Sequence, residues 1–208
     1  MKAMKHEVIQ KVFKDNDFIA QQNREILGQT VCVNVMGAPG AGKTSIIQHL
    51  KKIGEVGIIE GDLATDIDAQ KLRDSETSVI QLNTITGCHL NASHVQQALN
   101  KLPLKNLKWV FIENVGNLVC PSNFDLGEEI RIVVASAPQG SDKPLKYPPM
   151  FRTANIIIIN KTDLDADFDY EEFEKGIRNV NTNAPILRTN CKTGKGIDEL
   201  ILYLKKYQ

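Results

Sequence analysis

Residues 31–50 read VCVNVMGAPGAGKTSIIQHL: an apolar, β-branched run, then Gly37-Ala38-Pro39-Gly40-Ala41-Gly42-Lys43-Thr44, then an amphipathic stretch. The octapeptide fits GxxxxGK[ST], and its flanks supply the strand and the helix that this motif requires. Glycines let successive backbone N–H groups close around phosphate oxygens, and the following helix N-terminus adds positive partial charge. Lys43 is expected to reach the β- and γ-phosphates, and the Thr44 hydroxyl to ligate Mg²⁺. A chance glycine-rich turn capping a helix is the alternative. The lysine, the hydroxyl and both flanks together argue against it, so a nucleoside triphosphate is expected on Gly37, Ala38, Gly40, Ala41, Gly42, Lys43, Thr44 and Ser45.

Further apolar runs occur at 56–60 (VGIIE), 79–82 (VIQL), 109–113 (WVFIE), 130–135 (IRIVVA), 155–160 (NIIIIN) and 185–189 (PILRT). With 31–36 they make seven expected strands. Most are continuously apolar rather than alternating, as strands covered on both faces are. Helical patterns follow at 43–53, 64–74, 91–102, 169–180 and 196–207. Alternating strands and helices predict a doubly wound α/β fold: a mainly parallel seven-stranded sheet with helices on both faces. Residues 1–30, with apolar positions at Val8, Ile9, Val12, Phe13, Ile19, Ile26 and Leu27, read as an N-terminal helical appendage of one helix or a pair. Residues 31–208 read as one nucleotide-binding domain. The stretch KPLKYPPM at 143–150 is expected to be an irregular loop.

Length and charge agree with this division. A chain of 208 residues fits one large domain. Its 25 Lys+Arg against 25 Asp+Glu give no basic excess of the kind that phosphate-backbone binding needs, so nucleic acid is not an expected partner. No apolar run is long enough to span a membrane, and the first residues lack an apolar signal region, so a soluble, cytoplasmic protein without a membrane partner is expected. Four cysteines, at 32, 88, 120 and 191, are too scattered for a disulfide scaffold and are expected to be reduced.

Asn160-Lys161-Thr162-Asp163 closes a buried strand, at the end where open α/β sheets bind ligands. NKxD resembles the guanine-specificity motif of G proteins. There the carboxylate, here that of Asp163, accepts from the base's N1–H and 2-amino group, and the Lys161 stem lies along the base plane. Adenine lacks both donors, so an acceptor-only group rejects it. Asn190-Cys191-Lys192-Thr193-Gly194 resembles the SAK loop that supports the same base, with Cys191 in the usual alanine's place as a loop filler.

Carboxylates end two other strands, in Glu60-Gly61-Asp62 and at Glu113, where they can reach Mg²⁺ or its waters. Asp62 is the stronger candidate for the second metal anchor, because GDLATDIDA continues into a polar segment able to reorganise around a γ-phosphate. Asp66, like Asp68, either orients water or caps the next helix. Lys43, Asp62 and Asp66 are thus the catalytic candidates. No glutamine stands where a small signalling GTPase carries its water-orienting residue, so slow intrinsic hydrolysis is expected.

Cys88-His89 and Cys120 each lie just beyond strands of the same sheet and can meet in space. Two thiolates and an imidazole suit Zn²⁺ or Ni²⁺ better than Mg²⁺. The competing reading is a buried small thiol and a helix-capping histidine. His49 and His94, inside predicted helices, read as solvated or packed positions, and Cys32 as core.

Taken together, GAPGAGKT, EGDLATDIDAQ, GCHL, ENVGNLVCP, SDKPLKYP and NKTDL resemble the GTPase domain of the HypB family, which inserts nickel during NiFe-hydrogenase maturation. GCHL and ENVGNLVCP discriminate it from the related urease GTPase UreG. The resemblance runs from about Val31 to the C-terminus. It implies a P-loop GTPase with GTP and Mg²⁺, and Cys88, His89 and Cys120 as a nickel or zinc site at a homodimer interface where metal and nucleotide communicate. It also implies a maturation partner protein and the hydrogenase large subunit as partners. The chain carries neither the N-terminal CxxCGC cluster nor the histidine-rich stretch of many relatives, so nothing here implies nickel storage. Two other readings compete: a P-loop kinase, against which NKTD argues, and a G-domain scaffold with a structural zinc.

Overall fold

The computed structural model describes residues 2–61, 72, 77–82 and 87–208. Seven strands form one sheet among these residues: β1 (Val31–Gly37), β2 (Val56–Glu60), β3 (Ser78–Gln81), β4 (Trp109–Glu113), β5 (Ile130–Ser136), β6 (Ile156–Asn160) and β7 (Ile186–Arg188). Their order is β3-β2-β4-β1-β5-β6-β7. Every pairing is parallel. The seven apolar runs and the doubly wound α/β sheet expected from the sequence are therefore observed. The chain leaves β1 toward β2 on one side and later enters β5 on the other, so the phosphate loop sits where the winding reverses.

Alternate residues of each strand feed different faces. Val33, Val35, Trp109 and Phe111 pack with Ile46, Ile47 and Leu50 of α2 (Lys43–Leu50). Cys32, Val110 and Ile112 pack instead with Val95 and Leu99 of α3 (Ala92–Leu99). Burial on both faces explains why the strands read as unbroken apolar runs. Phe111 has no solvent exposure, and Phe111→Ala would cost about 3–5 kcal/mol in lost transfer energy and cavity. The right half of the sheet is covered by Met150 and Phe151 together with Phe173 and Ile177.

One expectation needs correction, and one choice left open by the sequence is resolved. The stretch read as an irregular loop holds two short helices, α4 (Lys143–Lys146) and α5 (Pro148–Arg152). Their prolines occupy the first turn, where the missing N–H has no intrahelical partner to lose and φ is already helical. The N-terminal segment is one helix, α1 (Lys2–Leu27). Its buried stripe is Asn16, Ala20, Asn23 and Leu27, whereas Val12 and Ile26 are 52% and 36% exposed. Of the apolar positions singled out, Leu27 is thus buried while Val12 and Ile26 are not, and two asparagines share the buried stripe. The helices α6 (Tyr170–Arg178) and α7 (Ile197–Leu204) complete the layers. Residues 64–74, expected to be helical, lie outside the described residues except for buried Leu72. No helix among the described residues is long and apolar enough to cross a membrane.

Candidate functional site

The phosphate loop leaves β1 at Gly37 and enters α2 at Lys43. Gly42, the N-cap residue, has a φ of 101° and supplies no side-chain cap, so the helix's first N–H groups face the loop without a side-chain acceptor. A Cβ on Gly42 would fall 2.2 Å from Asn160 Nδ2, and one on Gly37 would fall 2.3 Å from Val134 O. Only glycine lets the loop close this tightly. Lys43 is buried, with Nζ 3.5 Å from Ala38 O, so the ammonium lies across the loop. The Thr44 hydroxyl donates to Glu113 Oε1 at 2.7 Å. Ser45 beside it is exposed. Glu113 ends β4 in register with Glu60 at the end of β2, and both carboxylates are buried. The structure therefore joins Thr44 to Glu113. Asp62 and Asp66, like Asp68, fall outside the described residues.

The loop that follows β6 is tied to the phosphate loop by one side chain. Asn160 Nδ2 donates to Ala41 O at 3.0 Å, while its Oδ1 accepts from the Thr189 hydroxyl at 3.1 Å and the Cys191 thiol at 3.4 Å. Lys161, with φ 59°, is the one non-glycine residue at positive φ among the described residues. That conformation costs about 1–3 kcal/mol and turns the chain at the strand end. Asp163 is exposed and accepts from Lys192 Nζ at 2.8 Å. This hydrogen bond holds its carboxyl below the usual range, so it is an ionised acceptor. Burial pushes the Cys191 thiol up, as suits a packed filler rather than a thiolate ligand. His49, read as an ordinary helix position, bonds through Nε2 to Cys191 O at 2.7 Å and so braces this loop from α2.

Cys88, His89 and Cys120 do come together. Their ligand atoms all lie within 4.8 Å of one another, and Cys88 Sγ is 3.4 Å from His89 Nδ1. Cys88 is exposed and the other two are partly so. Burial and nearby His94 hold the imidazole below its usual range, so it is neutral near pH 7 and able to ligate. Hydrogen bonding to Cys88, with burial, pushes the Cys120 thiol up. His94 itself completes a capping box with Asn91 at the start of α3. Cys32 is core, as expected.

Residues 113–120 connect the two sites. Glu113 holds Thr44. A Cβ on Gly116 would lie 3.0 Å from Pro39, and Asn117 N donates to Gly37 O at 3.1 Å, so this segment rests on the phosphate loop. Asn117 Nδ2 then donates to Cys88 O at 3.3 Å, and three residues later comes Cys120. Sequence reasoning missed Asn117, and also Asn114, whose Oδ1 accepts from Leu90 N and Val115 N at 3.2 and 2.9 Å. It missed Gln139 too, which donates to Pro39 O at 2.9 Å. Lone amides carry no spacing signal.

A glycine-rich phosphate loop at the winding reversal of an all-parallel sheet defines a P-loop α/β protein. Residues 31–188 match the family described as CobW/HypB/UreG, nucleotide-binding domain. The hydrogenase maturation factor HypB of Azotobacter vinelandii is 40% identical over 206 residues, which cover 95% of this chain and 68% of that protein. The probable HypB of Methanocaldococcus jannaschii is 37% identical over 208 residues, 96% of this chain and 94% of that one. A crystal structure of HypB from Helicobacter pylori in complex with nickel has a TM-score of 0.88 and 35% identity, covering 92% of this chain and 94% of that one. The chain belongs to the CobW/HypB/UreG family and, within it, to the HypB hydrogenase maturation factors.

Proposed function

We propose that this protein is a cytoplasmic, GTP-hydrolysing nickel chaperone for NiFe-hydrogenase maturation, acting as a homodimer whose nucleotide state sets its metal affinity. The observation that carries this is residues 113–120, which touch Thr44 and the phosphate loop at one end and contribute Cys120 to the metal cluster at the other. In this reading the phosphate loop binds the triphosphate, and Lys43 neutralises the β- and γ-oxygens. Asp163 selects guanine, with Lys161 along the base and the Asn190–Gly194 loop beneath it. On binding, the base's donors replace Lys192 at the Asp163 carboxylate. The paired oxygens of Thr44 and Glu113 suit a hard cation, so these residues would hold Mg²⁺, which supplies charge neutralisation to the phosphates. Asp62 and Asp66 remain candidates for the second anchor and for orienting water.

Nickel is cargo here. Two thiolates and one imidazole leave a coordination position open, and Cys88 is exposed, so the ion can be passed on. A structural zinc would instead require a closed four-ligand site. A maturation partner protein and the hydrogenase large subunit are the proposed donor or recipient proteins. The test is nucleotide titration and turnover, combined with sedimentation with and without Ni²⁺. The expected result is GTP bound and hydrolysed in preference to ATP, with the dimer population depending on GTP and metal. Equal binding of ATP, or nickel binding indifferent to Cys88→Ala and Cys120→Ala, would overturn the reading.

A further inference from the structure

Helix α1 carries two asparagines in its buried stripe, an arrangement that packing alone does not explain. A buried amide costs free energy unless its polar atoms are satisfied. Asn16 Oδ1 accepts from Ala92 N at 2.9 Å and its Nδ2 donates to Asp125 O at 2.8 Å. Asn23 Nδ2 donates to Ala92 O and to Leu126 O, both at 2.9 Å, so its amide group is satisfied while its buried Oδ1 makes no hydrogen bond. Ala92 follows His89 by three residues, and Asp125 and Leu126 follow Cys120 by five and six. Each amide therefore spans the two chain segments that carry the metal ligands. Arg24 adds a third tie, donating to both Asp125 carboxylate oxygens at 2.8 and 2.7 Å. From the same helix, Phe13 packs on Phe124 with centroids 5.3 Å apart, and Phe124 stacks on the His89 ring at 4.0 Å and 18°.

We infer that α1 is a strut that sets the geometry of the Cys88–His89–Cys120 cluster, with Asn16, Asn23 and Phe124 as positioning residues for its ligands. This rests on the reading of the cluster as a metal site. The stack fixes the plane of the imidazole, and the amides fix the spacing between the Cys88–His89 segment and the Cys120 segment. Partners that orient metal ligands typically contribute about 10–100-fold to affinity. If α1 served only to cover the sheet, the asparagines would be replaceable by apolar residues without effect on the metal.

The test uses the full chain with Ni²⁺ alone as probe, measuring affinity by chelator competition, the thiolate-to-nickel charge-transfer band, GTP affinity and thermal midpoint. Asn16→Ala and Phe124→Leu are expected to weaken Ni²⁺ binding about tenfold or more and to alter the band, with GTP affinity unchanged. Phe124→Tyr, which keeps the stacking ring, should retain the parent values. Leu27→Ala removes an apolar contact of α1 that makes no side-chain hydrogen bond to either ligand-bearing segment, and should lower the thermal midpoint while leaving nickel affinity and the band as in the parent. Nickel affinity that instead follows the thermal midpoint across all variants, Leu27→Ala included, would overturn the strut. Should Asn16→Ala fail to fold, Phe13→Leu, which removes the α1 ring packed on Phe124, takes its place with the same expected loss of nickel affinity. Nickel binding that needs Cys88 yet is unchanged in the α1 and Phe124 variants overturns this inference only. Binding that survives Cys88→Ala overturns the metal site itself.

Discussion

The nucleotide loops and the metal cluster both lie beyond the C-terminal ends of the parallel strands, but they are supported differently. The phosphate and base-reading loops are short contiguous motifs braced by one another: Asn160 holds Ala41 O, and His49 on the phosphate-loop helix holds Cys191 O. The cluster draws on segments 32 residues apart, Cys88–His89 and Cys120, and is held together by Asn117 from the phosphate-loop side and by Asn16 and Asn23 from α1. A self-braced site keeps its shape when its surroundings move. A site assembled from distant segments inherits the movement of whatever supports it, which is the property a nucleotide-controlled metal site needs.

The contrast can be broken first at the metal. Cys88→Ala or Cys120→Ala removes one of three ligands and is expected to weaken Ni²⁺ by more than the roughly 100-fold upper range for supporting residues, with the GTP affinity of the metal-free protein held within experimental error. Chelator competition and calorimetry on the same samples would check this. A matched fall in GTP affinity would mean that the two sites are one structural unit. At the other site, Asp163→Asn places an NH₂ group against the base's donors. Losing hydrogen bonds to a charged acceptor costs about 3 kcal/mol, so GTP should bind roughly 100-fold more weakly while XTP gains. Unchanged GTP affinity by calorimetry would remove Asp163 from base reading.

Asn160→Ala tests the bracing between the loops. It leaves the buried Ala41 carbonyl without the amide that donates to it, and the expected cost is about 1–3 kcal/mol in denaturant unfolding, with weaker GTP binding. Unfolding free energy equal to the parent's would show that the loops stand independently. The smallest effect belongs to the Arg24–Asp125 pair. Burial raises the Asp125 carboxyl, but Arg24 and the Gly127 N–H outweigh it and hold the carboxyl below its usual value. Its contribution is therefore full above about pH 4, the ordinary aspartate range, and is lost as pH falls through the depressed value. Arg24→Ala should cost well under about 1 kcal/mol at pH 7, because the pair is partly exposed, and should flatten the acid limb of the stability profile. An unaltered acid limb would show that the pair is idle.

How much was legible follows the same divide. VCVNVM, NIIIIN and WVFIE announced buried parallel strands because sheet burial on both faces writes itself as unbroken apolar runs. GAPGAGKT and NKTD announced their loops because their chemistry is local. The joining of Thr44 to Glu113, with Asp62 beyond the described residues, was only half readable, since two strand-end carboxylates look alike in sequence. Asn16, Asn23, Asn114 and Asn117 were not readable. Each is a lone amide whose partners lie far along the chain or on a neighbouring backbone, and periodicity on α1 favoured the exposed Val12 over the buried Asn16. The helices at Lys143–Arg152 were hidden because prolines there open a helix rather than break one.

The central claim is that residues 113–120 transmit nucleotide state to the metal cluster, and the most direct test is Ni²⁺ affinity of the parent protein in its GTP-bound and GDP-bound states. The account predicts that the two differ by roughly 5–150-fold, the range of a 1–3 kcal/mol coupling, and that saturating Ni²⁺ changes the GTP-to-GDP affinity ratio by the same factor. Nickel affinity that depends on Cys88 and Cys120 but is equal in the two nucleotide states would contradict it.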